Sequence, residues 1–275
     1  MMGDMGTKDP LAFIPTATVD VPRQVSALAG TDTIEAVWVN AEGGTTYRLG
    51  AGTARDRFVK YAPAGTADTG FAAEAQRLSW AARHARVPRV LGLGSDGSGS
   101  WMETAALGGE SAVAPAWLAR PEQAAAGLGA GLRALHDALP VETCPFSWSV
   151  QDRIGDFEAN LAAGASPADW SPEHARLSIG EVRRRLESPP QPVDLVVCHG
   201  DACAPNTLLD AEGNPAAHVD LGSLGVADRW ADLAVAAWST QWNYGPGYEH
   251  HLYAGYGIER DGERIAYYKL LWDVT

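Results

Sequence analysis

The stretch Val193-Asp-Leu-Val-Val-Cys-His199-Gly-Asp201-Ala-Cys-Ala-Pro205-Asn206-Thr-Leu-Leu-Asp210-Ala-Glu-Gly213-Asn-Pro-Ala-Ala-His218-Val-Asp220-Leu-Gly222 decides how the chain reads. An apolar run leads into a polar loop holding His199, Asp201 and Asn206. Thr207–Asp210 predicts a short strand. Glu212-Gly213-Asn214 turns the chain, and Ala216–Asp220 returns antiparallel. Asn206 precedes the first strand of this hairpin and Asp220 ends the second, so both lie at one end. Asp201 sits five residues before Asn206 on the adjoining loop. Two carboxylates and an amide therefore converge. Hard oxygen ligands of this kind suit Mg²⁺, which keeps waters and takes phosphate oxygens as its other ligands. A carboxylate beside such a metal can orient a hydroxyl and accept its proton during phosphoryl transfer.

Upstream, the pattern is β-rich. Ala36–Val39 and Thr45–Leu49 are short strand-like runs joined by Asn40-Ala-Glu-Gly43-Gly44, and Arg57–Tyr61 follows. A helix is expected from Thr69 to Arg86, stopped by Val87-Pro88. Val90–Leu93 and Ser100–Thr104 read as a hairpin around Asp96-Gly97. After Ala105 the periodicity becomes helical: Pro121 suits a first helical residue, and Leu128, Leu132, Leu135 and Leu139 form a stripe. Further helices are expected over 151–163, 172–186, 228–239 and 262–272. The expectation is a flexible tail over 1–20, a β-rich lobe over 21–104 and a mostly helical lobe over 105–275.

Composition narrows the function classes. Lys plus Arg number 21 against 34 Asp plus Glu, a net charge of −13. That surplus repels nucleic acid and anionic membranes and favours a cationic partner. With hydrophobic residues at 46% and 10 tryptophans, the chain has the makings of a packed core. Three cysteines without a CxxC pair argue against a disulfide framework or a cysteine zinc site. Neither a signal-peptide pattern nor a bilayer-length apolar run is present, so the reading is cytoplasmic.

The string H-G-D-x-x-x-x-N followed by V-D-L-G resembles the catalytic and metal-binding motifs of protein-kinase-like enzymes. The longer pattern of His199–Asn206 with Asp220-Leu-Gly-Ser223 and Asp228-Arg-Trp-Ala-Asp232 resembles aminoglycoside O-phosphotransferases of the 3′ and 3″ type. So do Leu135-His136, Cys144-Pro-Phe146, Tyr256-Gly257 and Tyr267–Leu271. The resemblance covers most of residues 38–275. It implies an α+β, bilobal protein-kinase-like fold with nucleotide between the lobes. It implies a kinase moving the γ-phosphate of ATP or GTP to an aminoglycoside hydroxyl, with resistance as the consequence.

Carried over residue by residue, Asp201 is the catalytic base, and Asn206 and Asp220 hold Mg²⁺. Lys60 and Glu74 form the ion pair that positions the triphosphate. Gly43 and Gly44 cover the phosphates, and the backbone of Thr104–Ala106 grips the base. Asp169, Glu173, Asp228, Asp273 and the Thr275 carboxylate form the acceptor set for a cationic small molecule. His199 and Asp232 read instead as structural hydrogen bonders, and Cys198 and Cys203 as small buried residues. Three positions depart from the family pattern. Ser223 replaces a usual arginine, Trp242-Asn243 replaces an acidic pair, and Trp272 stands where a carboxylate is common. These departures favour one alternative, a kinase of another hydroxylated natural product or metabolite; against the other, a nucleotide-binding module without transferase activity, stands the complete set of Asp201, Asn206 and Asp220.

Overall fold

The computed structural model describes residues 12–13, 15, 19–40, 43–66, 70–191 and 194–275. The expected tail over 1–20, the hairpin tip at Ala41-Glu42, the helix start at Thr69 and the start of the apolar run at Val193 lie wholly or partly outside them. The chain divides into two compact units, Met1–Ser79 with Pro88–Leu107, and Trp80–Val87 with Gly108–Thr275. The division thus falls three residues beyond Thr104, and Trp80–Val87 belongs with the second unit.

The first unit is an antiparallel sheet. Its strands are β1 (Ala12–Phe13), β2 (Ile34–Asn40), β3 (Thr45–Leu49), β4 (Arg57–Pro63), β5 (Val90–Asp96) and β6 (Gly99–Ala105). Their spatial order is β1-β2-β3-β4-β6-β5. Alternation along β3 and β4 turns Tyr47, Leu49, Val59 and Tyr61 inward, where they pack with Val25 and Ala29 of α1 (Arg23–Ala29). Lys60 falls between Val59 and Tyr61, so the period of two sends it to the opposite sheet face. The helix expected over 69–86 is α2 (Phe71–Ala81). Its end is tightened by an i→i+3 bond from His84 to Ala81, which ends the regular helix before Arg86.

The second unit is mostly helical. It contains β7 (Glu110–Ser111), α3 (Pro115–Leu118), α4 (Pro121–Ala138), α5 (Val150–Ala162) and α6 (Ile179–Leu186). Then come β8 (Leu195–Cys198), β9 (Thr207–Leu209), β10 (Pro215–His218), β11 (Gly225–Asp228), α7 (Trp230–Tyr244), α8 (Glu249–Tyr256) and α9 (Gly262–Val274). Every residue of α7 from Trp230 to Thr240 is buried, as expected for a helix apolar on all sides.

Three local readings change. The helix expected from 172 starts at Ile179 instead, because Ser178 caps it with a 3.2 Å bond from the Glu181 amide. Residues 225–228 form a strand paired with β8, so α7 starts after them. Helix α8 carries no clear apolar stripe and goes unread in the sequence. It forms against α4, where glycines let two backbones meet: a Cβ on Gly129 would lie 2.0 Å from the Leu252 carbonyl oxygen, and one on Gly255 2.2 Å from that of Ala126. A mid-helix glycine costs about 1 kcal/mol relative to alanine, and close helix contact offsets it here. Among the described residues, no helix is long and apolar enough to cross a membrane.

Candidate active site

The loop after β8 is fixed from behind by one buried carboxylate. Asp232, 0% exposed, accepts the His199 amide at Oδ2 (2.6 Å) and the Gly200 amide at Oδ1 (2.9 Å). His136 Nε2 meets Oδ2 at 2.9 Å, and its Nδ1 meets the Tyr256 hydroxyl at 2.8 Å. His199 ties the loop to the returning strand: its Nδ1 accepts the Asp201 amide (3.3 Å) and its Nε2 donates to the Val219 carbonyl (2.9 Å). Those two partners fix the tautomer. Gly200 has φ of +87°, and a Cβ there would lie 2.2 Å from the Ser223 carbonyl oxygen, so only glycine fits.

Asn206 closes a 3-10 turn over Ala204–Asn206. Its Nδ2 donates to the Asp201 backbone carbonyl and to Oδ2, both at 3.0 Å. The Val219 amide donates to the Asn206 carbonyl (3.0 Å), which clamps the two ends of the β9–β10 hairpin together. Asp220 follows with φ of +64°, the one non-glycine residue with positive φ among those described. Held strain of this kind gathers at functional sites.

Asp201 Oδ1 is buried and has no hydrogen-bond partner among the described residues. Burial, then the charge of Asp220, raise the Asp201 carboxyl above its ordinary range, against the pull of Cys203, His199 and Asn206. The Asp220 carboxylate and the side-chain oxygen of Asn206, left over once its amide is spent on Asp201, are oxygen donors that fit a divalent cation beside Asp201. The neighbouring thiols of Cys198 and Cys203 are pushed up by burial and stay protonated.

In the first unit, Lys60 Nζ meets Glu74 Oε1 at 2.7 Å and Oε2 at 2.9 Å. The strand-then-helix order delivers that pair. Gly43 and Gly44 sit in the β2–β3 turn, where the Gly44 amide donates to Asn40 Oδ1 (2.7 Å). Thr104 lies in β6 opposite Phe58, and the Ala106 amide is already spent on the Asp56 carbonyl (3.1 Å).

The acceptor acids do not form one group. Asp169 caps its own turn through Ser166. Glu173 pairs with Lys269 at 2.8 Å. Asp273 takes hydrogen bonds from the Ser171 amide, the Ser171 hydroxyl (2.7 Å) and His174 Nδ1 (2.6 Å). The Thr275 backbone oxygen accepts Asn160 Nδ2 at 3.0 Å, and its Oγ1 accepts Arg153 Nη2 at 2.8 Å. Asp228 stands apart: buried, it pairs with Arg264 at 2.9 Å in the first turn of α9, about 14 Å of helix from Asp273.

Sequence reading passed over Ser239, whose hydroxyl accepts the Ala204 amide at 2.8 Å and so props the His199–Asn206 loop from α7. Its signal is present, a polar residue following the apolar run Leu233–Trp238 inside a buried helix.

The profile described as "Phosphotransferase enzyme family" matches residues 39–268. The chain is 37% identical over 227 residues to an aminoglycoside 3′-phosphotransferase of Streptomyces fradiae, a match covering 78% of this chain and 84% of that one. A crystal structure of aminoglycoside-3′-phosphotransferase of type VIII superposes with TM-score 0.77 at 32% identity, covering 92% of this chain and 97% of the other. The Streptomyces rimosus enzyme APH(3″)-Id, solved with ADP and streptomycin, superposes with TM-score 0.71 at 28% identity, covering 91% and 95%. The chain belongs to the aminoglycoside phosphotransferase family and has its α+β, protein-kinase-like fold.

Proposed function

We propose that this enzyme moves the γ-phosphoryl group of ATP or GTP onto a hydroxyl of an aminoglycoside, and that the modification confers resistance. The observation that carries the reading is the idle, buried Oδ1 of Asp201 in a loop held rigid by Asp232 and His199. In this reading Oδ1 accepts the acceptor's hydroxyl proton as its oxygen attacks the γ-phosphorus and the bond to the β–γ bridging oxygen breaks. Asn206 and Asp220 hold Mg²⁺, which supplies charge neutralisation to the triphosphate when bound. Lys60, oriented by Glu74, grips the α- and β-phosphates, while Gly43-Gly44 and Thr104–Ala106 border the nucleotide. Asp169, Glu173, Asp273 and Thr275 face the acceptor side, and Asp228 serves the fold through Arg264. Need for ATP places the enzyme in the cytoplasm. The −13 charge favours a polyamine acceptor.

One observation favours a second reading, a kinase of a less cationic natural product: each acceptor acid already has an internal partner. Mass spectrometry of an aminoglycoside panel incubated with enzyme, ATP and Mg²⁺ decides between them. A product heavier by one phosphoryl group is expected, and lost with Asp201→Asn. If no aminoglycoside gains that mass while another hydroxylated compound does, the second reading replaces the first.

A further inference from the structure

Helix α7 carries the prop of the catalytic loop and an aromatic cluster on adjacent positions. Ser239 holds the Ala204 amide, and Asn243 Nδ2 in turn donates to the Ser239 hydroxyl at 3.1 Å. Trp238 directly precedes Ser239, and Trp242 directly precedes Asn243. Trp272 joins them from α9. The ring centroids lie 4.7 Å apart for Trp238–Trp242, 6.0 Å for Trp238–Trp272 and 5.7 Å for Trp242–Trp272. All three pairs are tilted or edge-on, the favourable geometries for aromatic quadrupoles. Trp238 is 6% exposed and braced by Lys269 Nζ, 4.5 Å above its ring. Trp242 is 49% exposed. Trp242 is thus a large indole packed against two others and still half in water.

The charged groups around this cluster are spent on one another. Lys269 takes Glu173, and His174, whose ring lies 5.8 Å from Trp238, takes Asp273. A cationic acceptor arriving here meets acids that must first release their partners, and an indole face that needs no release.

We propose that Trp242, backed by Trp238 and Trp272, is the platform on which a ring of the acceptor stacks, making aromatic contact the main determinant of acceptor affinity in this chain. This rests on the phosphotransfer reading above for the identity of the acceptor. The apolar face of a sugar or aminocyclitol ring lies against the indole, and an ammonium group near it gains cation–π attraction. Such recognition admits less cationic acceptors than a pocket of free acids.

The test compares Trp242→Ala, Trp242→Phe and Glu173→Gln with wild type, using kanamycin A and streptomycin at low and high salt. Trp242→Ala is expected to raise the acceptor KM about tenfold while the ATP KM stays unchanged. Trp242→Phe should restore most of the loss, and Glu173→Gln should raise KM less than Trp242→Ala. High salt should raise the wild-type acceptor KM only slightly. An unchanged acceptor KM in Trp242→Ala, or a larger rise in Glu173→Gln, overturns the proposal. If wild type phosphorylates neither compound, the aminoglycoside reading fails, and the platform is judged by tryptophan emission during titration with both compounds and with a macrolide. An emission change in wild type that is lost in Trp242→Ala supports it. No change in wild type, or the same change in both, overturns it.

Discussion

The loop over His199–Asn206 and the acids proposed for the acceptor belong to the same unit and to the same acidic chain, yet their carboxylates are handled in opposite ways. At the loop, Asp232 spends both its oxygens on backbone amides and His136, while the nearby Asp201 Oδ1 has no hydrogen-bond partner among the described residues. At the acceptor positions, Asp228 is buried and Asp273 largely buried against basic side chains, and the half-exposed Glu173 pairs with Lys269. The contrast is between a carboxylate oxygen left unmatched at the loop and acids that are each paired. A buried group left without a partner costs free energy that the folded scaffold must supply. The loop bears that cost and the acceptor acids do not.

Removing the unmatched group gives the largest expected effect. Asp201→Asn should keep the fold and nucleotide binding while kcat falls about a thousandfold, within the span of general base catalysis. Steady-state turnover together with nucleotide titration measures this. Turnover within about tenfold of wild type, roughly 1.4 kcal/mol in the barrier, would erase the contrast.

The matched carboxylate behind the loop should tell in stability. Asp232→Ala strands two amides and His136, and should cost about 3 kcal/mol by denaturant melts. Burial tends to raise the Asp232 carboxyl, but the His136 hydrogen bond, the electrostatic pull of His136 and His199 and the Gly200 amide outweigh it and hold it low. With the folded value below the unfolded one, the unfolded chain takes up the proton first as pH falls. The contribution is therefore complete above the ordinary carboxylate range and is lost as pH drops through the folded value. The gap between wild type and Asp232→Ala should close under acid below about pH 4. A constant gap would mean that Asp232 acts through shape alone.

Metal binding sharpens the role given to the loop's partner strand. Asp220→Ala should weaken Mg²⁺–ATP binding by at least ~tenfold, since charged hydrogen-bond and ligand contacts are worth roughly 1.5–3 kcal/mol. Asn206→Ala should do less, since it removes a neutral ligand along with the bond to Asp201. Unchanged Mg²⁺ dependence in Asp220→Ala would move the cation elsewhere.

The smallest effect probes the other side of the comparison. Asp273→Asn should lower stability by about 1–2 kcal/mol through weakened bonds to Ser171 and His174. Any change in acceptor KM should be modest and should shrink with salt. A large rise in acceptor KM at unchanged stability would show the acid to be open to the acceptor, and the contrast would fail on that side.

The features legible in the residue order lie within short reach along the chain. His199, Asp201 and Asn206 share one loop, and the turn at Glu212–Asn214 returns Asp220 to their end, so local strand and turn preferences suffice to gather them. The β-rich start and helical remainder were legible for the same reason, since hydrophobic period is a local property. The family pattern named Lys60 and Glu74 before the fold showed them 2.7 Å apart. The remainder came from packing between distant elements. Helix α8 exists because α4 offers glycines for it to rest on. Asp228 is closed because Arg264, from another element, reaches it. Ser239 and Asp232 hold the loop from α7, some thirty residues downstream. Whether a carboxylate is a free ligand or a sealed strut depends on which distant donors burial brings against it. That information resides in packing between elements, which the order of residues near the carboxylate does not carry.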